Sequence, residues 1–247
     1  MMEKSFDKEW FEHKCRDFDE NFKVIQHRIE EAAMLSGRDP SAIQLLAATK
    51  TVPHQLIQYA TEHGIQLIGE NKAQELLEKY PHYQLPPQQI HFIGHLQTNK
   101  VASLVGKVGM IQSVDSLKLA KEIDKRSCAL SLSTDILVEI NVGEEQSKSG
   151  TTVQNAIQLV EEISQLPNVN VKGLMTIPPI TETPEQARKF FSNIYALSVD
   201  IQGKNIDNVS MDILSMGMSS DYEEAILEGA NMVRIGSLLF GNRIYQK

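Results

Sequence analysis

The chain has 247 residues, 41% hydrophobic and 23% charged, enough apolar material for one α/β barrel or two smaller domains. A net charge of −8 with no basic run argues against nucleic acid as a direct partner. The charged opening MMEKSFDKEW lacks the apolar core of a signal peptide, no apolar run approaches the roughly 20 residues that cross a bilayer, and two cysteines without a CxxC spacing read as reduced thiols of a cytoplasmic protein.

Residues 7–35 are expected to form one helix. Phe11, Cys15, Phe18, Phe22, Ile25, Ile29 and Ala32 recur at alternating steps of four and three, which lays a single apolar stripe along it. Gly37 and Pro40 end it, and the stripe is expected to pack on the parent domain rather than seed a coiled coil. Strand-like segments then follow at 43–50, 66–70, 90–95, 109–114, 135–142, 169–175, 209–215 and 232–236. Helical patterns separate them at 54–64, 116–130, 152–166, 184–199 and 220–230. Short apolar strands alternating with amphipathic helices mean a parallel sheet. Eight of them in about 200 residues fit a closed (β/α)8 TIM barrel better than an open doubly wound sheet. No Gly/Ser linker interrupts the alternation, so 1–247 reads as a single domain, with the Pro-rich stretches 80–89 and 177–185 as loops.

In such a barrel the chemistry sits where strands end at their C-termini. Lys50, GEN (69–71), GHLQTNK (94–100), SVD (113–115), NVGEEQSKSG (141–150), MTIPP (175–179), SMGMSSD (215–221) and IGSLLFG (235–241) follow the eight strands in turn. SMGMSSDYEEAI reads as a strand, a glycine turn and a helix opening at Ser219 or Ser220, and RIGS (234–237) adds a second glycine turn with the Ser237 hydroxyl. Free N–H groups and a positive dipole end suit a phosphate, and loops after strands seven and eight are where these barrels hold one. GEEQSKSG (143–150) lacks the glycine that precedes the lysine of a nucleotide-binding loop and reads as a mobile rim loop. His91 and His95 share a strand face without further ligands, which favours a hydrogen-bonding role over a metal.

Lys50 ends an apolar strand, where an ammonium is costly without a partner or a function. Partial desolvation lowers a lysine pKa from about 10.4 and leaves more free amine to attack an aldehyde. A reactive amine, a phosphate site and no metal suggest a Schiff base with a phosphorylated aldehyde. Pyridoxal 5′-phosphate (PLP) is the leading candidate and a sugar phosphate the other.

LLAATKTVP (45–53), IGENKAQE (68–75), HFIGHLQTNK (91–100), VEINVGEEQSKSG (138–150), GLMTIPP (173–179), LSMGMSSDYEEAI (214–226) and VRIGSLLFGNR (233–243) together resemble the PLP homeostasis protein family. That family is similar to the N-terminal barrel of alanine racemase, and its members bind PLP without an established catalytic reaction. The resemblance implies that Lys50 carries the cofactor covalently and that Asn71 lies near its ring and phenolic oxygen. It also implies that Ser219, Gly236 and Ser237 cradle the phosphate, that Arg234 faces the pyridine nitrogen, and that Met216 and Met175 line the ring. Ser237 stands where threonine is common, with the hydroxyl kept.

The implied partners are PLP itself and PLP-dependent apo-enzymes that would receive it, for a monomer or weak homodimer with no membrane contact. A racemase-like enzyme and an aldolase are the alternatives. Racemisation needs an acid/base group on each face of the substrate. Alanine racemases take the second from a C-terminal β-domain, and only six residues follow Gly241 here, so that domain is expected to be missing and Tyr245 to be a lone tyrosine.

Overall fold

A computed structural model describes residues 8–145 and 148–241 of the protein. The elements in chain order are α1 (Lys8–Leu35), β1 (Gln44–Ala48), α2 (His54–Glu62), β2 (Leu67–Glu70), α3 (Ala73–Lys79), β3 (Ile90–Phe92), α4 (Val101–Leu104) and β4 (Met110–Val114). They continue as α5 (Leu117–Ala129), β5 (Thr134–Ile140), α6 (Val153–Ile163), β6 (Val169–Thr176), α7 (Pro184–Gly203), β7 (Val209–Ser215), α8 (Tyr222–Leu227), β8 (Met232–Ile235) and α9 (Ser237–Phe240). The eight strands of the described residues close into one parallel barrel in sequence order, β8 pairing back onto β1 with Leu46 opposite Arg234.

Each expected strand is present, several of them shorter than their apolar run. The largest departure is β3, which stops at Phe92 where the pattern suggested 95, so His91 and His95 do not share a strand face. The short helices α3, α4 and α9 were not anticipated, because none is long enough to show a helical period. The expected start of α1 at Asp7, part of the expected rim loop at 143–150, and Tyr245 lie outside the described residues.

Period-two alternation sorts the strand residues into two layers. Ala47, Ile68, Phe92, Ile111, Ile136, Val138, Leu174, Val233 and Ile235 face out to the helices and join the main core. Leu46, Ala48, Ile93 and Met232 form one cluster inside the barrel, and Met110, Leu137 and Met175 a second. The register between β4 and β5 shifts between Ile111 and Val114, an irregularity that opposes two residues, Gln112 and Ser113, to Leu137 alone. Both polar residues are fully buried there.

The stripe of α1 packs on the barrel, as its pattern suggested, through contacts with α2, α8 and α9. Phe18 is 0% exposed. It stacks on Phe22 and on Phe240 with ring centroids 5.5 and 5.8 Å apart, and meets Tyr59 edge-on at 6.0 Å. Tyr59 in turn donates its hydroxyl to Asp19 at 2.8 Å. The helix ends where Arg38 N–H reaches the Ala33 carbonyl and Gly37 N–H that of Met34, the six-to-one and five-to-two bonds of a Schellman cap. Phe18→Ala should therefore lower the unfolding free energy by about 3 to 5 kcal/mol in urea titration, as expected for a large cavity between α1 and the barrel. A loss under about 1 kcal/mol would mean that α1 is a loosely attached appendage.

Candidate functional site

The C-terminal ends of β1, β2 and β8 are neighbours, and alternation continues past them into the barrel mouth. In β1 it runs Leu46, Ala48 and then Lys50, with Thr49 directed outward to Gly69 O and the Glu70 carboxylate. The strand stops two residues short of Lys50 because Val52 N–H bonds back to Thr49 O at 3.0 Å and closes a turn. Lys50 sits half-buried in that turn. In β2 the same alternation leads from Gly69 to Asn71, whose Oδ1 is buried with no hydrogen-bond partner among the described residues.

The loops after β7 and β8 meet across the rim. Gly217 turns the chain at φ 89°, in the left-handed region, and a Cβ there would lie 2.6 Å from that of Ala225. The helix expected at Ser219 or Ser220 opens later, at Tyr222. Asp221 Oδ1 accepts the Met218 N–H at 2.7 Å and holds the intervening turn. Ser219 is thus no N-cap. Its Oγ instead accepts the Leu238 N–H at 3.4 Å and joins the two loops. Gly236 leads into α9 against β1, where an added Cβ would sit 3.0 Å from Ala48 O. Ser237, the first residue of α9, is exposed, and Ser219 is half-buried.

Below the mouth lies a polar chain inside the barrel. Arg234 is 3% exposed, and burial pushes its pKa down to about 10, which still leaves it charged at neutral pH. Its Nη2 donates to Thr176 O at 2.9 Å and its Nη1 to Ser215 Oγ at 2.8 Å. A guanidinium only donates. Ser215 must therefore pass its own proton to Gln112 Oε1, 2.6 Å away, and Gln112 Nε2 must donate to His91 Nδ1 at 2.8 Å. That order fixes His91 as neutral, with its proton on Nε2. Desolvation agrees, holding the imidazole down at about 4. Glu139, also inside, has its carboxyl raised by desolvation, opposed by a 2.8 Å hydrogen bond from Ser149.

The structure thus gathers Lys50, Asn71 and Gly236 at one rim, with Ser219 and Ser237 on the two loops beside them and Arg234 buried below the mouth. Met175 joins the interior cluster. Met216 does not: it is fully buried with Leu214 in the layer between strands and helices, on the face of β7 opposite Ile213 and Ser215. His95 lies exposed beyond β3, 3.7 Å from Asp115. Among the described residues no group of histidine, cysteine and carboxylate side chains is placed to hold a metal. His91, Gln112, Ser215 and Glu139 were missed as a network. Their signal was a polar residue at an inward position of an apolar strand.

The buried imidazole gives stability a pH dependence. Below its ordinary 6.5 the unfolded chain binds a proton that folded His91, near 4, does not, so stability falls as pH drops between those values. His91→Asn keeps an acceptor for Gln112 and removes the titration. Urea unfolding should show the wild type losing on the order of 2 kcal/mol more than this variant between neutral pH and about pH 4.5. Parallel curves would mean that His91 is protonated in the fold.

The family model described as alanine racemase, N-terminal domain, matches residues 21–243. The pyridoxal phosphate homeostasis protein of Aquifex aeolicus is 45% identical over 226 residues, covering 92% of this chain and 98% of that one. A solved protein of unknown function from Bifidobacterium adolescentis superposes with a TM-score of 0.87 at 30% identity, over 96% of this chain and 98% of that one. PipY of Synechococcus elongatus PCC7942, solved with PLP bound, does so with a TM-score of 0.75 at 31% identity, over 87% of this chain and 100% of that one. With a racemase-type barrel over nine-tenths of its length and relatives this near, the chain belongs to the pyridoxal phosphate homeostasis protein family, within the alanine racemase N-terminal-domain group.

Proposed function

We propose that this protein binds PLP in the barrel mouth, holds it as a Schiff base on Lys50, and serves intracellular PLP homeostasis as a carrier rather than a catalyst. The observation that carries this reading is the meeting of Lys50 and Gly236 at the rim, above the buried Arg234, which closure of β8 onto β1 brings about. The residues present fit the cofactor. Asn71 Oδ1 is a buried polar atom without a partner, as a residue built to meet a ligand would have. At Gly236 the absence of a side chain keeps backbone open beside Ala48, where a Cβ would crowd in.

When bound, PLP would supply an electrophilic aldehyde open to an amine. Lys50 would provide the amine and Asn71 a carboxamide for the ring substituents. Ser219, Ser237 and the backbone N–H of Ser237 would face the phosphate. Arg234 would present an N–H to the ring nitrogen. Because it stays protonated, it leaves that nitrogen without a proton, and the ring is then a weak electron sink for amino-acid chemistry. That arginine supports the carrier reading.

The cofactor would pass to PLP-dependent apo-enzymes in the cytoplasm, with the protein acting as a monomer or weak homodimer. Cys15 and Cys128 are both free thiols, in keeping with a reducing compartment, and no described helix is long and apolar enough to cross a membrane.

Two experiments test this reading. The purified protein should absorb as a PLP Schiff base and be trapped by borohydride on Lys50, while Lys50→Ala folds but yields no adduct by mass spectrometry. Pyridoxal, which lacks the phosphate, should bind far more weakly, and Gly236→Asp should abolish PLP binding by placing a like charge at the cradle. Recovery of the adduct on another lysine, or equal affinity for pyridoxal and PLP, would overturn the assignment.

The second test separates carrier from catalyst. The loaded protein incubated with L-alanine in deuterated water should give no D-alanine by chiral analysis, and should transfer PLP to an added apo-enzyme. Formation of D-alanine at about 1 per second, the low end of ordinary enzymes, would refute the carrier reading.

A further inference from the structure

Outside the mouth, on the helix side of β1 and β2, lies a cluster of charged groups that none of the roles above employs. Lys79, on α3, has a side chain only 13% exposed. Its Nζ donates to Glu75 Oε1 at 2.6 Å, to Thr49 O at 2.9 Å and to Glu70 Oε1 at 3.0 Å. An ammonium has three protons, and each has its acceptor. Glu75 Oε1 also accepts the backbone N–H of Thr51 at 2.5 Å. Glu70, 0% exposed, takes further hydrogen bonds from the Thr49 hydroxyl at 2.7 Å and the Tyr83 hydroxyl at 2.8 Å.

These bonds fall on the residues immediately before and after Lys50. Thr49 is tied by its carbonyl and its hydroxyl, Thr51 by its N–H. Thr51 stands at φ 64°, a left-handed conformation that a β-branched residue adopts only when its surroundings impose it. A pair whose only task was to neutralise charge would need one carboxylate and no backbone. Here the cation and the second carboxylate are spent on the two peptide groups that set where the Lys50 side chain begins.

We propose that Lys79 and Glu75, backed by Glu70, are positioning residues that hold the Thr49–Thr51 turn so that the Lys50 amine meets a bound aldehyde in reacting geometry. This rests on the PLP-binding reading, and it assigns to α3 the alignment of the amine. The proposed phosphate and ring contacts other than Asn71 lie on β6, β7 and β8, away from the clamp. Covalent capture should therefore suffer while non-covalent binding does not.

The test uses the full chain with Glu75→Ala, Glu75→Gln and Lys79→Met. Each is mixed with PLP and quenched with borohydride at timed intervals, and the adduct on Lys50 is quantified by mass spectrometry. In parallel each is titrated with pyridoxine 5′-phosphate, which carries an alcohol where PLP carries the aldehyde and so reports fit without capture. Glu75→Ala and Lys79→Met should form the adduct about tenfold more slowly, the scale on which a misplaced reacting group costs rate. Their affinity for pyridoxine 5′-phosphate should be unchanged. Glu75→Gln should stay near the wild-type rate, because its carboxamide oxygen can still accept the Thr51 N–H.

Lys79→Met strands two carboxylates, so if it fails to fold the Glu75 pair decides the matter. An unchanged capture rate in Glu75→Ala, or a loss of pyridoxine 5′-phosphate affinity equal to the loss of rate, would overturn the positioning role. A wild-type protein that forms no adduct on Lys50 would bring down the PLP reading and this inference with it. A normal wild-type adduct with an unaltered Glu75→Ala rate would remove the clamp alone.

Discussion

The charge of Arg234 lies inside the barrel, walled by the apolar clusters of Leu46, Ile93 and Met232 and of Met110, Leu137 and Met175. An uncompensated guanidinium in such a place costs several kcal/mol, so the interior is organised to satisfy it. Ser215 and the Thr176 carbonyl take its protons, and Glu139 lies within electrostatic reach. Because the arginine can only donate, every later proton along Ser215, Gln112 and His91 has one allowed direction. A single buried cation thereby fixes the tautomer of an imidazole three side chains away.

Barrel closure supplies the second half of the site. Lys50 and Gly236 lie near opposite ends of the chain, yet β1 and β8 are hydrogen-bonded neighbours with Ala47 opposite Ile235. The close approach of Gly236 to Ala48 is the contact through which the two ends share a rim. The aromatic stack of Phe18, Phe22 and Phe240 works at the same seam from outside, because Phe240 belongs to α9, which Ser237 opens after β8. The packing of α1 and the placing of the turn between β8 and α9 are thus mechanically joined.

The mouth divides its labour by strand. β1 with α3 holds the amine, β2 brings the carboxamide, and β7 and β8 bring glycine turns and hydroxyls suited to an anion. Division of this kind lets one part be loosened without the other.

Much of this was legible in the chain. Alternating short apolar runs and amphipathic helices led to a parallel barrel, and the strand-end rule led to Lys50, the GEN segment and the Gly236–Ser237 turn, because alternation and chain order are local properties; Asn71 and Arg234 were singled out by the family resemblance. Sequence could not say that Ser219 bonds across to α9 instead of capping a helix, that β3 ends before His95, or that Met216 packs outward. Those depend on where a turn closes and which face a residue takes after its strand has ended. Nor could it reveal the chain from Arg234 to His91, or Lys79 gripping the turn around Lys50. Their members come from β3, β4, β7 and β8, or from β1, β2 and α3, and only closure of the barrel brings such distant positions within hydrogen-bonding distance. Local order in the sequence determined which residues reach the rim. Tertiary packing decided which of them hold one another, since a hydrogen bond depends on distance in space and not along the chain.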